Sequence, residues 1–181
     1  SANAHGRGLH FKPLVADVAA LTLVDAGGEL RRCSREENPE LFRLAVGGYG
    51  LFGAIASVRL RLGERLKLER VVEIAESPRL AERFAERIQA GLLYGDFQFS
   101  TDVGSDTLLR KGVFSCYRPV DPATPVPDHP IEMPRAAWME LICLGHVQRA
   151  QAFQKYADYY LSTSGQIYWS DTHQLSVYIE D

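Results

Sequence analysis

The chain has 181 residues, 46% hydrophobic and 24% charged, with a net charge of −3 and a pI near 6.0. That is enough for one globular domain or two small ones, and it gives no electrostatic ground for binding nucleic acid or an anionic membrane. No apolar run approaches the roughly 20 residues that cross a bilayer. Three cysteines, Cys33, Cys116 and Cys143, are odd in number and far apart. They point to neither a disulfide framework nor a zinc site, and to a reducing, cytoplasmic compartment.

Ser1 rather than Met stands first, and residues 1–11 lack the charged and apolar regions of a signal peptide. The closing LSVYIED breaks off inside an ordered pattern, so the sequence reads as a segment of a longer protein. Residues 1–13 form a loop carrying HGRG at 5–8, with His10 and Lys12 beyond it. Small residues around one histidine and one arginine suit a backbone lying against a ligand; a glycine turn with a solvated arginine is the alternative.

Residues 21–25 (LTLVD) predict a strand, 26–29 (AGGE) a turn, and 30–33 the returning strand. Asn38 is placed to cap a helix over 39–46 that begins at Pro39 and stops at Gly47, where a left-handed residue is wanted. Residues 54–62 alternate Ala54, Ala56, Val58, Leu60 and Leu62 against Ser57, Arg59 and Arg61, the pattern of a half-buried strand. Gly48, Gly50 and Gly53 have G-x-G-x-x-G spacing, but a helix precedes them and a strand follows. A dinucleotide-binding turn needs the reverse order. The glycines could let backbone approach a flat or charged ligand, or could simply make a tight turn.

A second unit begins near Leu66. Residues 68–74 predict a strand, and Ser77 caps a helix starting at Pro78, with Leu80, Phe84, Ile88 and Leu92 on one face. Residues 94–101 alternate as a strand, and 107–118 form another after a turn at 104–106. Residues 118–134 hold six of the nine prolines and predict an extended surface connection, with a lid as the alternative. The chain is helical from Ala136, with an amphipathic stretch over 147–161 ended by Gly165, and 166–169 are strand-like. Ser170, Asp171 and His173 are too close in sequence to read as a triad, whose members meet through the fold.

The ordered set HGRG, LTLVDAGGELRRCS and ENPELFRLAVGGYGLFGAIASVRLRL resembles one family. It is similar to the second half of the FAD-binding domain of vanillyl-alcohol-oxidase/p-cresol-methylhydroxylase (PCMH) flavoproteins, nearest to sugar and sugar-lactone oxidases and decaprenylphosphoryl-ribose oxidase. The resemblance implies an α+β fold. Residues 1–65 would be the second lobe of a PCMH-type FAD-binding domain. Residues 66–181 would be part of a substrate domain with an antiparallel sheet flanked by helices.

The resemblance further implies FAD as cofactor and no metal. His5, Gly6, Arg7 and Gly8 match the loop along the flavin and its ribityl–pyrophosphate chain. Gly48, Gly50 and Gly53 match the glycines shaping the turn beside it, and Ile55 matches a position whose backbone meets the cofactor. His173, Leu175 and Tyr178 fall where related sugar oxidases place pocket-wall residues. The family's pyrophosphate loop lies upstream of this sequence and its catalytic acid/base downstream, so no catalytic residue is assigned.

The expected function is part of an FAD-dependent oxidoreductase oxidising an alcohol carbon of a sugar, alditol or lactone by hydride transfer to flavin. Its partner is a small polyol or sugar, with the electron acceptor open. The 181 residues alone are expected to retain little FAD and show no turnover. The alternatives are a non-catalytic binding or assembly module, using the tyrosine-rich helix as an interface, and a nucleotide-binding protein unrelated to flavin.

Overall fold

The computed structural model describes residues 8–10 and 12–172, which divide into two compact units, Ser1–Glu64 and Arg65–Asp181. In the first unit, β1 (Val18–Val24) and β2 (Leu30–Ser34) form a hairpin closed by Asp25. The Asp25 carboxylate accepts the backbone N–H groups of Gly27 and Glu29 at 2.9 and 3.0 Å and a 2.6 Å bond from Arg31 Nε. The hydrogen bond from Arg31, followed by that from Glu29, holds this carboxyl below the ordinary aspartate range. β1 starts three residues earlier than expected. The weak strand-formers Ala19 and Ala20 are recruited by pairing, with Val18 opposite Leu60 and Ala20 opposite both Ser34 and Arg59.

Helix α1 (Pro39–Ala45) follows. Asn38 does not cap it through its side chain. The residue sits at φ +46° and its Nδ2 donates instead to the Arg32 carbonyl at 2.8 Å, tying the helix start to β2. The helix ends as expected, with Gly47 at φ +80°. Its apolar side covers β1 and β2, giving a core of Val18, Leu21, Leu23, Cys33 and Phe42 with Val15, Leu41, Ala45 and Val46 packed against it. Arg35 latches this core. It donates to the carbonyls of Val18 and Val15, each at 2.7 Å, and lies 5.3 Å above the Phe42 ring.

β3 (Ala54–Leu60) completes an antiparallel sheet of order β2-β1-β3. It was expected to be half-buried, yet every residue in it is exposed, including Ile55 at 51%, Val58 at 47% and Leu60 at 43%. It is an edge strand, and among the described residues no helix lies over its apolar side.

The second unit is a four-stranded antiparallel sheet of order β5-β6-β4-β7, made of β4 (Lys67–Glu76), β5 (Tyr94–Phe99), β6 (Lys111–Pro119) and β7 (Ile167–Trp169). Successive residues of β6 face opposite sides, so Phe114 and Val113 begin two separate cores. Phe114 meets Phe84 of helix α2 (Leu80–Gln89) edge-on at 4.8 Å, with Phe97 beside it. Val113 and Val72 pack against Ala157, Phe153, Tyr156 and Tyr160 of helix α4 (Arg149–Ser162).

Those tyrosines therefore line the inward side of α4 and do not form the exposed interface considered from sequence. Helix α3 (Arg135–Val147) is separated from α4 by Gln148, which leaves the helical region at φ −144° and ψ +71°. Ser77 opens a single 3-10 turn before α2 and makes no side-chain cap.

The proline-rich connection is pinned near both ends. Lys67 Nζ donates to the carbonyls of Pro122 and Thr124, both at 2.6 Å, and Ile131 N–H donates to Gln166 Oε1 at 2.8 Å. With Met133 buried as well, it is an anchored surface strap.

Two outcomes follow from this packing. All three cysteines are free, Cys33 and Cys116 are buried and Cys143 is exposed. Burial pushes the Cys116 thiol up to about 12. A thiol-reactive dye should label Cys143 in the native protein and the other two only after denaturation.

Glu73 accepts hydrogen bonds from Arg83 and, at 2.7 Å, from Arg87. Burial raises its carboxyl, but the two arginines outweigh burial and hold it below the ordinary glutamate value. Its stabilising contribution is present above the unfolded-state glutamate pKa and is lost as pH falls through the depressed folded value. Glu73→Gln should therefore flatten the acid limb of a stability–pH profile and leave its neutral-to-alkaline part parallel to the parent's.

Candidate functional site

The apolar side of β3 is continuous with the floor of a groove of about 460 Å³ in the first unit. Leu21 and Val18 form the floor, Ala45, Val46, Gly47 and Gly50 one wall, and Ile55, Val58 and Leu60 the other. A β-bulge explains how Ile55 and Val58, three apart, share that wall. Leu23 pairs with Ile55 and Thr22 with Ser57, so Ala56 is the extra residue and the alternation changes phase there. Simple period-two reading placed Ala54 and Ala56 with Val58 and missed this.

The glycine loop entering β3 is wound by left-handed residues, with Tyr49 at φ +51°, Gly50 at +81° and Gly53 at +130°. Its three predicted glycines have different causes. A Cβ at Gly53 would lie 2.5 Å from the Val24 carbonyl oxygen, and one at Gly48 would lie 2.1 Å from the Leu44 carbonyl oxygen. Both positions are therefore fixed by the chain's own backbone. A Cβ at Gly50 would meet nothing within 4 Å, and Gly50 lines the groove. Tyr49, which sequence reading passed over, also lines it, and its side chain is wholly exposed. A large aromatic residue held at positive φ with its ring in solvent is a costly arrangement. The sequence sign of it was a tyrosine inside a glycine run.

The structure thus brings Gly50 and Ile55 onto one groove and leaves Gly48 and Gly53 as packed positions inside the loop. Gly8 lies in a half-buried bend. His5, Gly6 and Arg7, and likewise His173, Leu175 and Tyr178, lie outside the described residues. Thr172, which precedes His173, lines a pocket of about 160 Å³ in the second unit with Tyr94, Tyr117, Tyr168 and Trp169. Among the described residues no cluster of histidine, cysteine and carboxylate side chains could hold a metal ion.

Next to that aromatic pocket is a feature the sequence hid. Arg70 is 1% exposed. Its Nε donates to Tyr117 Oη at 2.9 Å and its Nη1 to Thr163 Oγ1 at 2.7 Å. The guanidinium lies 4.5, 5.0 and 5.3 Å from the ring centres of Tyr168, Tyr160 and Tyr117. Burial opposes the charge, yet the tyrosines keep the Arg70 pKa above its ordinary value. In the sequence, Arg70 is in phase with Leu68, Val72 and Ile74, which was the available sign that it points inward.

No family model matches the sequence. Cytokinin dehydrogenase 4 of Oryza sativa subsp. japonica is 32% identical over 126 residues, covering 67% of this chain and 23% of that protein. Cytokinin dehydrogenase 5 of Arabidopsis thaliana is 40% identical over 62 residues, 34% of this chain and 12% of that protein. Cytokinin dehydrogenase 2 of Arabidopsis thaliana is 46% identical over 50 residues, 28% of this chain and 10% of that protein. The chain therefore spans less than a quarter of the length of each of these relatives.

The two glycines can be separated by substitution. Gly53→Ala should lower stability by about 2–3 kcal/mol, from strain at positive φ plus the clash with Val24, and Gly50→Ala by about 1 kcal/mol. Denaturant unfolding of both variants checks the difference. The similarity to these dehydrogenases fits the FAD-linked oxidoreductase expected from sequence and gives no support to its sugar-oxidase branch.

Proposed function

We propose that this chain is part of an FAD-dependent oxidoreductase, and that its first unit supplies one face of the flavin site. The supporting observation is the groove in which Gly50 leaves backbone open opposite Ile55, with an exposed tyrosine at its rim. Its lining side chains are apolar apart from the Tyr49 hydroxyl, so it fits the flat ring system rather than a pyrophosphate. The charged end of the cofactor would need a cation, and Arg7 is the residue proposed for it, by charge-assisted hydrogen bonding to phosphate. Bound FAD would supply hydride acceptance at the ring; the chain's contribution is to bind and orient that ring and exclude water from it.

Residues 66–181 are proposed as part of the substrate domain, with His173, Leu175 and Tyr178 on the pocket wall. The relatives named for cytokinin act on amine rather than alcohol substrates, which favours oxidation at a carbon bearing nitrogen. The aromatic walls of Tyr94, Tyr117, Tyr168 and Trp169 suit a flat ring. A sugar, alditol or lactone substrate is the second reading, resting on the sequence resemblance alone.

The test uses the full-length protein. It should purify yellow and reduce an artificial acceptor with a cytokinin or another ring-bearing secondary amine, and not with a polyol panel. Tyr49→Ala should lower retained flavin by about tenfold while leaving the unfolding profile unchanged, given the usual worth of a buried aromatic contact. Colourless full-length protein that takes up no added FAD would contradict the proposal.

A further inference from the structure

A third pocket, at the opposite end of β5 from the aromatic pocket of this unit, lies between β5 and the α3–α4 pair. It has a volume of about 180 Å³. Phe99, Leu141, Phe153 and Tyr156 give it apolar walls, Gly145 of α3 forms part of its lining, and Arg149 of α4 is its cation. An apolar cavity of roughly 150 Å³ is enough to admit a benzene ring, so this one has room for a ring and a short tail.

Two details give the pocket a polarity. Among the described residues no carboxylate lines it and Arg149 forms no ion pair; its guanidinium has one hydrogen bond, a long one of 3.4 Å to the Thr101 carbonyl. Lys155 of the same helix, by contrast, is committed to Glu140 of α3. Gly145, in the last turn of α3, is a poor helix former, and a Cβ added there would meet nothing within 4 Å. Gly145 is exposed and lines the pocket, so a larger side chain there has room to occupy it.

We infer that this pocket binds a small amphipathic carboxylate, with its ring or short alkyl body against Phe99, Leu141 and Phe153 and its carboxylate on Arg149. The charge complementarity excludes cationic ligands, and the volume excludes a nucleotide. Binding there requires no part of the proposed redox chemistry.

Calorimetric titration of the full-length protein with 3-phenylpropanoate and with its neutral amide tests this. The acid should bind saturably and more tightly than the amide, and Arg149→Gln should weaken the acid by about fivefold while leaving the amide unchanged, the modest effect expected of a partly solvated ion pair. Gly145→Leu should abolish binding of both by filling the cavity, and Gly145→Ala should retain it. Matching thermal unfolding of the variants and parent would show that the fold is intact. Absence of saturable binding, equal affinity for acid and amide, or binding that survives Gly145→Leu would each overturn the inference.

Discussion

One helix cannot cover three strands. An α-helix with its side chains is about 10 Å across and strands lie about 4.8 Å apart, so α1 shields β1 and β2 and leaves β3 bare. The rest of the first unit follows from that mismatch. Leu21 and Val18 are sealed on one side by Ala45 and Val46, while on the other side Ile55, Val58 and Leu60 stand 43–51% exposed. Exposed apolar residues that line a concave surface in register are unlike scattered surface leucines, and mark a surface made to be covered.

The bulge at Ala56 and the glycine loop give the bare strand its shape. The bulge brings Ile55 into line with Val58, and Gly53, pressed against the Val24 carbonyl, fixes where β3 begins. Gly50 and Tyr49 then project from the loop over the groove. Backbone that approaches a ligand closely at one glycine needs its neighbours held rigidly, and Gly48 and Gly53 do that through contacts within the chain.

The elements most legible in the sequence were those whose cause is local. The helix stop at Gly47, the AGGE turn and the Leu80–Phe84–Ile88 face each depend on a few adjacent residues, and each appears where its chemistry demands; Leu92, expected on that face, lies past the helix end at Gln89, beyond Gly91 at φ +80°. What could not be read was set by partners distant in the chain. Asn38 is drawn to the Arg32 carbonyl instead of its own helix, β1 is lengthened by pairing with Leu60, and Arg70 is buried by tyrosines from β6, α4 and β7. Alternation likewise showed that β3 has an apolar side but not whether anything covers it. Of the candidate site, the glycines and Ile55 were visible as a motif, whereas the separation of their roles required coordinates.

A structure of the full-length protein loaded with FAD is the most direct measure of the central claim. The flavin ring is predicted to lie within about 4 Å, van der Waals contact, of Gly50 and Ile55, with Tyr49 folded over its edge. A ring bound elsewhere, with the groove filled by protein side chains, would contradict it.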